Sequence, residues 1–132
     1  MKAEELMIGD WVMCNGNHLQ IAEIYDAGIY ARGIMGNDNR GYPFEDLEPI
    51  LLTEDILQKN GFKHLDISSP RDTINRFVWR YSTDSQNIDL FYNKWTKDYM
   101  LNSFRINMFP IIYVHELQNS LRVGGIEKEI EL

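Results

Sequence analysis

A chain of 132 residues, 44% hydrophobic and 25% charged, suits one ordinary domain or two small units sharing a core, and needs neither disulfides nor metal to fold. The formal net charge of −7 is uneven: residues 1–66 hold five Lys/Arg against twelve Asp/Glu, while residues 67–132 hold eight of each, so the acidic half repels a phosphate backbone. Cys14 is the single cysteine, which excludes an intrachain disulfide; no apolar run approaches a span of about 20 residues, and Glu4 and Glu5 stand where a signal peptide would be basic and then apolar, so a cytoplasmic protein with no membrane partner is expected.

Six of the nine glycines fall within residues 1–41, with short runs of strand character between them. Trp11-Val12-Met13-Cys14 runs into Asn15-Gly16-Asn17, a strong signal for a tight hairpin. Leu19 to Tyr25 then alternates, with Leu19, Ile21 and Glu23 on one side. Asp26-Ala27-Gly28 turns again, Ile29 to Ile34 forms a third run, and a polar loop from Gly36 to Gly41 leads to a fourth from Tyr42 to Leu47. A meander this short must curl to bury one face and hide its edges, which predicts a small SH3-like barrel over residues 1–52. The opening Ile8-Gly9-Asp10-Trp11-Val12 resembles the first strand of many such barrels.

Past Pro49, Thr53 is a good N-cap, Glu54 and Asp55 suit the positive end of a helix, and Gly61 is a plausible C′ residue, so one helix of roughly two turns is expected. Residues 62–70 carry no clear pattern, and Ser68-Ser69-Pro70 suggests a loop. From Thr73 the strand signal returns: Phe77, Trp79 and Tyr81 alternate with Arg76, Val78 and Arg80. Asp84-Ser85-Gln86-Asn87 turns into a run from Ile88 to Tyr92, and Asn93-Lys94-Trp95-Thr96-Lys97 connects to Tyr99 through Phe104. Pro110 is expected to end that sheet. Ile112, Val114, Leu117 and Leu121 recur at helical spacing until Gly124-Gly125, and the charged tail from Glu127 is expected to fray. The whole reads as α+β, mostly antiparallel β. An N-terminal SH3-like barrel is followed, over residues 53–132, by a short helix and a three-stranded sheet packed by a C-terminal helix. A single shared core for the two parts stays open.

Catalytic and metal-binding patterns fare poorly. His115-Glu116 is half of a zinc-binding H-E-x-x-H helix, but Asn119 stands where the second imidazole is required. His18 and His64 lie far off in sequence. Cys14 would need a neighbouring base to act as a nucleophile, and reads better as a small buried residue. The acids Glu45, Asp46 and Glu48 read as solvated, and Glu54 and Asp55 as dipole partners. No glycine spacing matches a phosphate-binding loop. No cofactor is expected.

Segment 71–105 is the clearest positive feature. It holds six Lys/Arg against four Asp/Glu, with Phe77, Trp79, Tyr81, Phe91, Tyr92, Trp95, Tyr99 and Phe104. Such aromatics either stack nucleobases or fill a core beneath a helix, the second being the commoner use. On the last helix His115, Gln118, Asn119 and Arg122 share a face, which is either an ordinary wet face or a polar recognition strip.

The stretch Ile112-Tyr113-Val114-His115-Glu116-Leu117-Gln118-Asn119 resembles an ending, roughly Y-V-H-x-L-Q-N, of small uncharacterised proteins of Bacteroidetes and their phages and mobile elements. Met1 through Gly9, Leu47-Glu48-Pro49-Ile50, Leu52-Thr53-Glu54 and Gly61-Phe62 look like the same group. Relatives typically continue through bulky aromatics after the Asn, where this chain has Ser120-Leu121-Arg122-Val123. The resemblance implies a phage or mobile-element setting and brings no catalytic residue with it.

Three functions follow. The first is a non-enzymatic module that binds a protein partner, with His115, Gln118, Asn119, Arg122, Trp79 and Trp95 as its candidate surface. The second is a nucleic-acid-associated accessory protein using segment 71–105, which the acidic charge disfavours. The third is a small hydrolase with a site near His115. Pairing of two copies through a sheet edge or the aromatic face stays open.

Overall fold

The tight turn Asn15-Gly16 organises the first unit. Both residues take positive φ, +49° and +79°, as a two-residue turn of this hand requires. The computed structural model, which describes residues 1–33, 40–66, 77–103 and 109–132, places β1 (Trp11–Cys14) and β2 (Asn17–Tyr25) on either side of it, with Cys14 opposite Asn17. Two further strands, β3 (Gly28–Gly33) and β4 (Arg40–Pro43), complete an antiparallel sheet in sequence order. At the β2–β3 turn, Gly28 packs so close to β4 that a Cβ there would lie 2.0 Å from the Tyr42 carbonyl oxygen. Ile34 of the third run, residues 36–39 of the polar loop, Ser68-Ser69-Pro70, the start of the strand expected from Thr73, and Phe104 fall outside the described residues; Arg40 and Gly41 of the expected loop belong to β4.

Val12, Cys14, Leu19, Ile21, Ile29 and Ala31 are buried on the inner face of this sheet. The expected alternation breaks once. A register shift between Ile21 and Glu23 turns Ile24 toward the core and leaves Glu23 exposed, whereas the sequence put Glu23 beside Leu19 and Ile21.

The sheet is open, which corrects the barrel. Strand β4 pairs with β3, and the outer edge of β1 meets no further strand among the described residues. Two devices cover that edge. Met13 and Glu48 exchange backbone hydrogen bonds of 2.8 and 2.7 Å, and the amide of Trp11 donates to the side chain of Gln118 at 2.9 Å. A bridge and a side chain thus satisfy the amides that barrel closure would otherwise pair.

The chain divides into two compact units: residues 1–51 with 113–122, and residues 52–112 with 123–132. The C-terminal helix α2 (Val114–Val123) contributes residues 114–122 to the first unit. The helix opens where Glu116 accepts a hydrogen bond from the Tyr113 amide at 3.0 Å, and it gives way to Gly125 at φ +72°.

In the second unit, helix α1 (Glu54–Lys59) begins at Thr53, whose Oγ1 accepts from the Ile56 amide at 3.3 Å, and Gly61 follows it at φ +84°. A five-stranded antiparallel sheet runs in sequence order through β5 (Lys63–Asp66), β6 (Phe77–Ser82), β7 (Asn87–Asn93), β8 (Asp98–Ser103) and β9 (Phe109–Ile111). Two of these strands exceed the three expected. Pro110 lies within β9, on the sheet edge, where a residue lacking an N–H is tolerated.

Trp79, Leu90 and Leu101 are cross-strand partners and are buried together. The side carrying Tyr81 is covered by the α1 end and the tail: Phe62 lies 5.4 Å from the Tyr81 ring, and Lys128 extends its ammonium over that ring. The tail does not fray. Asn60 donates to the Glu131 carbonyl and accepts from the Glu131 amide, each at 2.7 Å, and Ile126 and Ile130 are buried. Among the described residues, no helix is long and apolar enough to cross a membrane.

Candidate functional site

Three of the four candidate residues on α2, Gln118, Asn119 and Arg122, are employed in holding the first unit together. Gln118, 3% exposed, accepts from the Trp11 amide and donates to the Gly9 carbonyl at 3.0 Å. Asn119 donates to the Glu5 carbonyl at 3.1 Å and accepts from Arg122 at 3.0 Å. Arg122 pairs at 2.6 Å with Asp10, whose side chain is wholly buried. Burial pushes the Asp10 carboxyl up, against the lowering pull of the Met7 amide, Arg122 and Asn119. Gly9 has φ +92°, and a Cβ there would meet the Arg122 guanidinium at 2.8 Å. The shared face read from the spacing is real, but it points inward at the Gly9–Trp11 backbone.

His115 is 4% exposed, and its ring stacks on Tyr113 at 5.9 Å. Among the described residues, its Nδ1 finds no hydrogen-bond partner. Burial lowers its pKa, outweighing the opposite pull of Glu116, Asp10 and Glu5, so the imidazole is held neutral. Among the described residues, no group of three or more His, Cys, Asp and Glu is placed to hold a metal ion. Cys14 is buried; desolvation first, and then the carboxylates of Asp46 and Glu48, push its thiol up, away from the reactive thiolate.

The two candidate tryptophans part company. Trp79 is 7% exposed, meets His64 edge-on at 5.2 Å, and belongs to the second core. Trp95 is 85% exposed at the tip of the β7–β8 hairpin. Asn93 builds this tip. Its Oδ1 accepts from the amides of Trp95 at 2.9 Å and Thr96 at 3.4 Å, and its carbonyl accepts from the Lys97 amide at 2.7 Å. Lys97 takes φ +57°, turning the chain back into β8, where Asp98 stands opposite Asn93. Thr96 donates to Asp98 at 2.5 Å, and the Lys94 ammonium lies 6.0 Å from the centre of the Trp95 ring.

The turn thus displays an indole to solvent with Lys94 at its ring and Lys97 two residues on, also exposed. In the sequence, 93–97 reads as a connection, and of its residues only Trp95 belongs to the expected contact surface. The available signal was an aromatic residue inside a polar turn, where it has no core to enter. A second exposed aromatic feature is the Tyr25–Tyr30 pair on β2 and β3, with ring centres 4.9 Å apart. Compared with known proteins, the chain matches no family model, no curated protein and no solved structure.

Proposed function

We propose that this chain is a non-enzymatic module that binds a protein partner, and that the β7–β8 tip is its contact. One observation carries the reading: Trp95, 85% exposed, sits on a turn fixed by three hydrogen bonds to Asn93. Exposing a large aromatic costs solubility, and tryptophan is the residue most enriched among those that dominate binding energy. A turn ordered before the encounter loses little entropy on binding. The resemblance of the chain's ending to phage and mobile-element proteins suggests the setting.

The test compares proteins retained by the wild-type chain and by Trp95→Ala from cells that encode it. Both chains must first show the same melting temperature. The reading expects a protein retained by the wild type and absent with the variant. Equal retention by both contradicts it.

The nucleic-acid reading draws on the same tip, because an indole beside lysines also stacks on bases. It is separated from the first by the binding measurements below.

A further inference from the structure

We infer that the tip recognises a protein surface in which an apolar slot is rimmed by carboxylates. This rests on the protein-binding reading and names the partner's chemistry. The Trp95 indole is the group that fills a slot. Lys94 sets its ammonium 6.0 Å from the ring centre, so a positive charge accompanies the indole. Lys97 adds a second charge two residues on in the sequence, its backbone held at φ +57° with its N–H hydrogen-bonded to the Asn93 carbonyl. The neighbouring acid, Asp98, accepts from the Thr96 hydroxyl and keeps its charge, so the two lysines leave the tip with a single net positive charge. An apolar group with one cation at its ring and a second two residues along the turn is complemented by an apolar hollow rimmed by anions.

Range decides between this occupant and the larger polyanions. Exposed charges are screened beyond about 8 Å at physiological salt. A compact acidic rim therefore senses the two lysines and little else. A nucleic-acid strand or an anionic bilayer extends much farther and meets the rest of a chain whose net charge is −7. The lysines of the tip favour the first and cannot offset the second.

The full chain is titrated with four probes while its tryptophan emission is followed, with Trp95→Phe as the spectral control. The probes are a peptide with Leu and Phe flanked by Asp and Glu, its counterpart with Lys replacing the acids, a short oligothymidylate, and phosphatidylglycerol vesicles. The acidic peptide should move the emission to shorter wavelength, more weakly as salt rises. Trp95→Ala should lower its affinity by more than about twentyfold, the loss expected of a dominant interface tryptophan. Lys94→Glu/Lys97→Glu should reverse the preference toward the basic peptide.

No response to the acidic peptide overturns the inference. So does a stronger response to the oligonucleotide or the vesicles, or a response indifferent to the charge reversal. The two levels are separable. A protein captured through Trp95 that binds the Lys94→Glu/Lys97→Glu chain as well as the parent leaves the protein-binding reading standing and removes the acidic chemistry. If nothing is captured through Trp95, the reading itself falls.

Discussion

Gln118 serves Trp11 as a strand would. Its amide oxygen takes the Trp11 N–H at 2.9 Å across 107 residues of sequence, and its amide nitrogen gives to the Gly9 carbonyl at 3.0 Å across 109. A single side chain from a helix therefore covers the backbone edge of β1. Gln118→Leu keeps the bulk and removes both bonds, leaving the Trp11 amide without its acceptor. The expected cost is about 2–4 kcal/mol, from two polar groups losing a partner. Urea unfolding measures it; a change below about 0.5 kcal/mol, as for an ordinary surface substitution, would show that the bonds are incidental.

Gly28 and Gly33 offer a paired comparison within one strand. Gly28→Ala forces a Cβ to 2.0 Å from the Tyr42 carbonyl oxygen, so β3 and β4 must separate. A Cβ at Gly33 meets nothing within 4 Å among the described residues, and Gly33→Ala needs no unusual φ. The first should destabilise by more than about 2 kcal/mol, while the second should be neutral or stabilise by up to about 1 kcal/mol through the unfolded state. Thermal melts of the two variants decide the matter.

Asn60 fastens the tail, and its loss should free the tail before anything else. In Asn60→Ala both bonds to Glu131 disappear, together with the bond to the Ile56 carbonyl. Amide exchange of residues 126–132 should then speed up much more than exchange in β7. Uniform acceleration of both would mean that Asn60 stabilises the unit as a whole.

These contacts explain what the sequence revealed and what it hid. Asn15-Gly16, Thr53 and Gly61 were legible because a turn or a cap is decided by its own few residues. The Trp79 core was legible from its alternation. Strand β5, Lys-His-Leu-Asp, was missed because one apolar residue in four makes no period. Pro110 reads as a boundary in the sequence, although an edge strand accepts it. The polar face of α2 was read correctly as a face, yet its direction depends on Gly9 and Trp11, more than a hundred residues earlier. Trp95 was noticed, but its isolation from the other aromatics is a property of the folded sheet.

His115 gives stability a pH dependence. Its folded pKa lies below the usual 6.5, so the unfolded chain binds the proton more readily. Stability is then full above 6.5 and falls as pH drops from there toward the folded value. His115→Gln should flatten this limb. Asp10, raised above 3.8 by burial, acts with the opposite sign in a more acidic window, where the folded chain holds the extra proton. Denaturation midpoints across pH for the two His115 forms check the sign; a parent chain that gains stability as pH falls below 6.5 contradicts it.

The most direct test of the central claim places a photo-crosslinking side chain at Lys94, beside Trp95, and activates it in cells that encode the protein. The same group at exposed Glu127 is the control. The account predicts an adduct with a discrete protein from position 94, lost when Trp95 is also replaced by alanine, and no such adduct from position 127. Adducts from position 94 that are only nucleic acid or lipid, or that match those of the control, would contradict it.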